Sequence, residues 1–144
     1  MAIDETGLWW KGEDFADLAK YVQLLTQEGY GADRVVQSRC SCGGTVFHLS
    51  ADADQGCAQR TCKDCGIKSF IADSADTWND GEPKQVRCVC KSTDLELGVG
   101  FSLRPDGEIK WITVGQRCVK CGVLASSVDW GVDYAPSTHL LEKT

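Results

Sequence analysis

Eight of the nine cysteines in this 144-residue chain fall into two sets of matching spacing. The first is Cys40-Ser-Cys42 with Cys62-Lys-Asp-Cys65-Gly66, and the second is Cys88-Val-Cys90 with Cys118-Val-Lys-Cys121-Gly122. Two close pairs of thiols supply the four soft ligands of a tetrahedral metal site, and Zn²⁺ is its commonest occupant. We therefore expect two structural zinc ions per chain. One is held by Cys40, Cys42, Cys62 and Cys65, the other by Cys88, Cys90, Cys118 and Cys121. Pairing within each set is favoured over cross-bracing, because duplication copies complete sites. A closed four-sulfur shell leaves no position for water or substrate, so the centres are expected to hold structure and not to catalyse.

The formal charge is −6, and each Zn(Cys)₄ centre would add two more negative charges. Such a field repels phosphate backbones at long range, which disfavours non-specific nucleic-acid binding. The amino terminus has early acids and no basic region ahead of an apolar run, unlike a secretory signal. No stretch approaches the roughly 18 apolar residues of a membrane span. We expect an intracellular, cytoplasmic protein whose thiols stay reduced, where metal binding is favoured over disulfides. The odd cysteine total agrees.

The two sets sit in two similar stretches. Phe47-His-Leu49 can be laid under Phe101-Ser-Leu103, and Asp73 and Asp129 fall equally far beyond the last cysteine of each set. Between the pairs lie 19 residues in the first stretch and 27 in the second; on this alignment the extra length falls mainly in Lys91 to Gly98. Both stretches look like hairpins. Leu95, Leu97, Val99, Phe101 and Leu103 alternate with small or polar residues, the period of a half-buried strand. Arg104-Pro-Asp-Gly-Glu108 is a turn in which proline presets the first corner and glycine takes positive φ. Ile109–Val114 returns. In the first stretch Thr45–Ser50 goes out and Ala58–Thr61 comes back, and Ile67–Ala72 and Val123–Asp129 can supply third strands. Ahead of them, Phe15, Leu18, Val22 and Leu25 recur at helical spacing, with Asp14 as N-cap, Asp17 at the capping-box position and Gly29 and Gly31 as the stop.

The expected fold is α+β: an amino-terminal amphipathic helix followed by two duplicated zinc-ribbon-like β units. Residues 1–37 form the helical segment that packs on the ribbons, 38–80 the first repeat, 86–134 the second and 135–144 a flexible tail in which Leu140 and Leu141 can dock. The Cys62-x-x-Cys65-Gly and Cys118-x-x-Cys121-Gly pairs resemble the knuckles of zinc ribbons and rubredoxins, a resemblance that covers about Arg39–Tyr134. It implies metal ligation by tight turns and says little of function, and the leading Cys-x-Cys pairs are shorter than that pattern.

Seven basic residues lie within two positions of a candidate ligand: Arg39, Arg60, Lys63, Arg87, Lys91, Arg117 and Lys120. Charge compensation of anionic sulfur explains them; a local nucleic-acid patch is the alternative. Cys57 stands outside the pattern and reads as a small buried or half-exposed residue, with a spare ligand or a redox-sensitive thiol as the alternatives. His48 is expected to face outward, and His139 lies in the tail. Trp78, Trp111 and Trp130 should pack beside the thin cores, while the adjacent Trp9 and Trp10 cannot face the same way. No catalytic motif is present, so an enzyme is not expected. The expected function is a non-catalytic zinc-binding adaptor or inhibitor that binds another protein. Antitoxin and immunity proteins share this size and acidity, a comparison by analogy. The alternatives are a transcription- or RNA-associated ribbon and a rubredoxin-like iron electron carrier.

Overall fold

The computed structural model describes residues 3–144. Eight strands run β1 (Arg34–Gln37), β2 (Val46–Asp52), β3 (Cys57–Cys62), β4 (Lys68–Phe70), β5 (Lys84–Gln85), β6 (Leu95–Leu103), β7 (Ile109–Cys118) and β8 (Leu124–Gly131), with one helix, α1, at Phe15–Thr26. All eight strands join one antiparallel sheet of order β4-β3-β2-β6-β7-β8, with β1 beside β6 and β5 beside β2.

This corrects the α+β expectation. The described residues are mostly antiparallel sheet with a single 12-residue α-helix. The two cysteine-bearing stretches lie in one sheet, because β2 and β6 pair directly at Val46↔Glu96 and Phe47↔Leu95. Each lead-in strand then crosses to the other half: β1 pairs with β6, and β5 pairs with β2.

The two halves share one register. Phe47 opposes Cys62 as Leu95 opposes Cys118, and Ala51 opposes Ala58 as Val99 opposes Val114. Thr61↔Lys68 likewise matches Arg117↔Leu124. Leu95 is therefore the counterpart of Phe47, and the longer second hairpin gains its extra residues at the tip, around Ser102–Ile109, not in Lys91–Gly98. The Arg104–Glu108 turn forms as expected, with Arg104 N–H donating to Glu108 C=O (2.7 Å) and Gly107 at φ 89°.

Both faces of β6 are buried, although its alternation suggests only one. Leu95, Leu97, Val99 and Phe101 enter the main core with Phe47, Leu49, Ile112 and Val114. The small residues between them, with Gly115 opposite Gly98 on β7, accept α1: a methyl group at Gly98 would lie 3.0 Å from Phe15, and one at Gly115 only 2.4 Å from Val22. Helix α1 forms because Leu18 and Val22 bury completely on this glycine-lined face. Its first turn is closed by Asp14, which accepts from Asp17 N–H (3.1 Å), while Asp17 accepts from Glu13 N–H (2.8 Å). Leu25, the last residue of the expected stripe, is half exposed.

On the main-core side the sheet curls until β3 and β8 touch without pairing. Trp130 closes this seam over Gly56, and its indole N–H donates to Asp73 (3.0 Å), which also accepts from Tyr134 OH (2.7 Å). Of the tail, residues Thr138–Glu142 form a short 3-10 turn that buries Leu140.

Candidate metal centres

Each centre is built from two turns at matching places in the sheet. In the second turn of each set, the cysteine that ends a strand starts a tight loop closed by two backbone bonds. Gly66 N–H donates to Cys62 C=O (2.9 Å) and Cys62 N–H to Ile67 C=O (2.9 Å), and Gly122, Cys118 and Val123 repeat this at 2.8 and 3.0 Å. Gly66 and Gly122 have φ of 79° and 84°, the left-handed region where a Cβ is unfavourable. The leading Cys-x-Cys turns are the same device shortened by one residue. Gly43 N–H donates to Cys40 C=O and Cys40 N–H to Gly44 C=O, both at 2.8 Å; Lys91, Cys88 and Ser92 do likewise at 2.8 and 2.9 Å.

One position breaks the match. Gly43 has φ 91°, but its counterpart Lys91 holds φ 75° with a full side chain. A left-handed non-glycine residue costs on the order of 1 kcal/mol, partly offset by the extra freedom glycine gives the unfolded chain. Lys91→Gly should therefore stabilise the metal-loaded protein by about 0.5–1 kcal/mol, read as a higher denaturant midpoint at unchanged slope. A lower midpoint would contradict this.

The turns bring the sulfurs together as the sequence spacing requires. The four Sγ atoms of Cys40, Cys42, Cys62 and Cys65 lie within 4.8 Å of one another, as do those of Cys88, Cys90, Cys118 and Cys121. Cys40–Cys65 and Cys88–Cys121 are 3.5 Å apart, and Cys42–Cys62 and Cys90–Cys118 are 3.6 Å apart. A tetrahedral ion with metal–sulfur bonds of about 2.3 Å needs sulfurs about 3.8 Å apart, so the donor set fits such an ion. No disulfide joins any of the nine cysteines.

Electrostatics gives the same reading. The Cys42 N–H and then the neighbouring thiols pull Cys40 down to about 6. Against the lowering effect of Gly44 N–H, hydrogen bonds with Cys40, Cys62 and Cys65 push Cys42 up to about 12. Burial first, then the neighbouring sulfurs, pushes Cys88 to about 12. Four crowded thiols cannot all ionise together unless a cation shares their charge.

Three of the seven basic residues near the sulfurs are tied to an acid or a ring. Arg60 lies 4.5 Å over the Phe47 ring and within electrostatic reach of Cys40 and Cys62. Arg117 Nε is 3.0 Å from Glu96, and Lys63 Nζ is 2.6 Å from Asp94. Asp94 also meets His48 Nε2 at 3.0 Å, a contact across the β2–β6 junction with no signature in local sequence. Lys63 and then His48 hold the Asp94 carboxyl below its usual range. Cys57 is fully buried on β3, apart from both clusters, and burial raises its thiol pKa.

Sequence reasoning missed the role of the amino-terminal segment. Asp4 and Lys11 exchange backbone hydrogen bonds (2.8 and 3.0 Å), and the chain then runs along the second centre: Gly12 N–H donates to Gly122 C=O and Leu124 N–H to Trp10 C=O, both at 2.8 Å. Trp10 packs edge-on against Tyr21 (6.1 Å between centroids), whereas Trp9 stays half exposed.

Fold and sites thus define an antiparallel β protein with two four-cysteine groups able to hold metal ions. No family model, curated protein or solved structure matches the chain significantly. Among the described residues, no helix is long and apolar enough to cross a membrane.

Proposed function

We propose that this chain is a non-catalytic, cytoplasmic zinc protein that binds another protein, and that its two halves arose by duplication of one zinc-ribbon-like unit. The eight cysteines of the two sets are the zinc ligands, two ions per chain. Four sulfurs around each ion leave no open coordination position, which supports a structural role. The observation that carries the binding reading is an apolar groove of about 360 Å³ between the amino-terminal loop and α1, lined by Leu8, Trp9, Trp10, Tyr21, Leu24 and Leu25. Leu8 is 87% exposed and Trp9 48%; tryptophans displayed in this way are common anchors of protein interfaces. Arg60, within electrostatic reach of Cys40 and Cys62, supports charge compensation, and the pairing of Lys63 with Asp94 and of Arg117 with Glu96 leaves less positive charge for a nucleic-acid face.

Two measurements test the reading. Purified protein should be colourless with about two zinc ions per chain; a red protein containing iron would overturn the zinc assignment in favour of an electron carrier. In a pull-down from the cell of origin, the zinc-loaded chain should capture a defined protein, and Leu8→Ala/Trp9→Ala should lose at least ten-fold of that capture while Tyr134→Ala keeps it. Equal capture by both variants would move the interface elsewhere, and salt-sensitive recovery of nucleic acid instead would replace the reading.

A further inference from the structure

The two centres are alike in their sulfurs and unlike in their surroundings. In the first, Cys42 and Cys65 are exposed, whereas their counterparts Cys90 and Cys121 are partly covered. Beside Cys121 the cover is the amino-terminal segment. It hydrogen-bonds to Gly122 and Leu124, and Gly12 C=O comes so near that a methyl group at Gly122 would lie 2.9 Å from it. At the matching position of the first centre, Gly66 has nothing within 4 Å of such a methyl group. The next residues agree: Ile67 is 50% exposed and its counterpart Val123 only 6%.

The first centre also carries the softer frame. Its leading turn contains two glycines, Gly43 and Gly44, where the second has Lys91 and Ser92, and glycine leaves the backbone freer to open. A methyl group at Gly44 would lie 2.8 Å from the Asp64 carboxylate and 3.1 Å from Cys62 Sγ, so a carboxylate oxygen stands beside the sulfurs. The counterpart of Asp64 is Lys120. A carboxylate beside a doubly negative metal–thiolate cluster adds like-charge repulsion and offers a departing cation a transient oxygen ligand.

We infer that the first centre is a metal-exchange site, which passes its ion to small chelators with nitrogen or sulfur donors through the open Cys42–Cys65 edge, while the second retains its ion. The step is ligand exchange without redox change. Each metal–sulfur bond that breaks is replaced by a bond to the acceptor, and the freed thiolate takes a proton from water. The inference rests on the zinc reading above and adds to it that the two ions differ in lifetime.

The test is release of zinc from the fully loaded protein into excess 4-(2-pyridylazo)resorcinol, a chelating dye. Two phases of one equivalent each are expected, with rates at least ten-fold apart. If N-ethylmaleimide is added after the first phase, peptide mass mapping should find Cys42 and Cys65 labelled and Cys90 and Cys121 unlabelled. Trp10→Ala, which loosens the cover, should speed the slow phase at least five-fold and leave the fast phase unchanged. A single rate, or labelling that begins at Cys90 and Cys121, overturns the inference; the labelling order in the unmodified protein decides it even if the variant does not fold. Fewer than two zinc ions before chelation would instead overturn the zinc reading itself.

Discussion

Cys118→Ser is expected to empty the second centre and unfold the sheet around it, whereas Cys57→Ser is expected to keep both ions. Cys118 is the last residue of β7, and its partner Leu95 is also paired with Phe47. Damage there reaches the joint between the halves. Structural zinc contributes on the order of 10 kcal/mol or more in small domains, against total stabilities of about 5–15 kcal/mol. Loss of one ligand therefore removes a term comparable to the whole. Cys57 is just as buried but lies in neither cluster, so a serine there costs about 1–2 kcal/mol for a poorly solvated hydroxyl. Elemental analysis and near-UV dichroism of the two variants give the comparison. Equal zinc content, or unchanged dichroism in Cys118→Ser, would contradict it.

Gly115→Val is expected to have the second largest effect, by driving α1 off the sheet. The new Cβ would stand 2.4 Å from Val22 Cγ2 and 3.4 Å from Leu18. These are the two helix residues that bury completely, so neither can swing into solvent. Overpacking of this kind costs about 1–3 kcal/mol, and more where backbone must shift; we expect at least 3 kcal/mol. The change should appear as a lower denaturant midpoint together with greater protease sensitivity before Gly31. An unchanged midpoint would mean that the helix is only loosely seated.

The cysteine sets, the Asp14 cap and the Arg104–Glu108 turn were legible because each is local: spacing, a side-chain oxygen and a glycine at positive φ act within a few residues. The sheet was not, and the alignment of the halves shows why. Placing Phe47 against Phe101 instead of Leu95 slips the strand by an even number of residues, which leaves every side chain on its original face. Period-two alternation cannot detect that slip; only the partner strands fix it. The glycines of β6 were equally ambiguous. Gly98 and Gly100 read as the outward half of an amphipathic strand, yet their lack of side chains makes room for Phe15 and Val22. The Lys11–Val123 bridge joins residues far apart in sequence without any repeated pattern to announce it.

The crossed lead-in strands have a consequence for how the chain can be divided. A cut near Gly81 would leave the first fragment without Lys84–Gln85 beside Ser50 and Ala51, and the second without Arg34–Gln37 along the outer rim of Gly98–Phe101. Each piece would carry an intact set of sulfurs and a raw hydrogen-bonding border shaped for the other. The two halves are thus mutual completions, like clasped hands, and neither is a self-sufficient module.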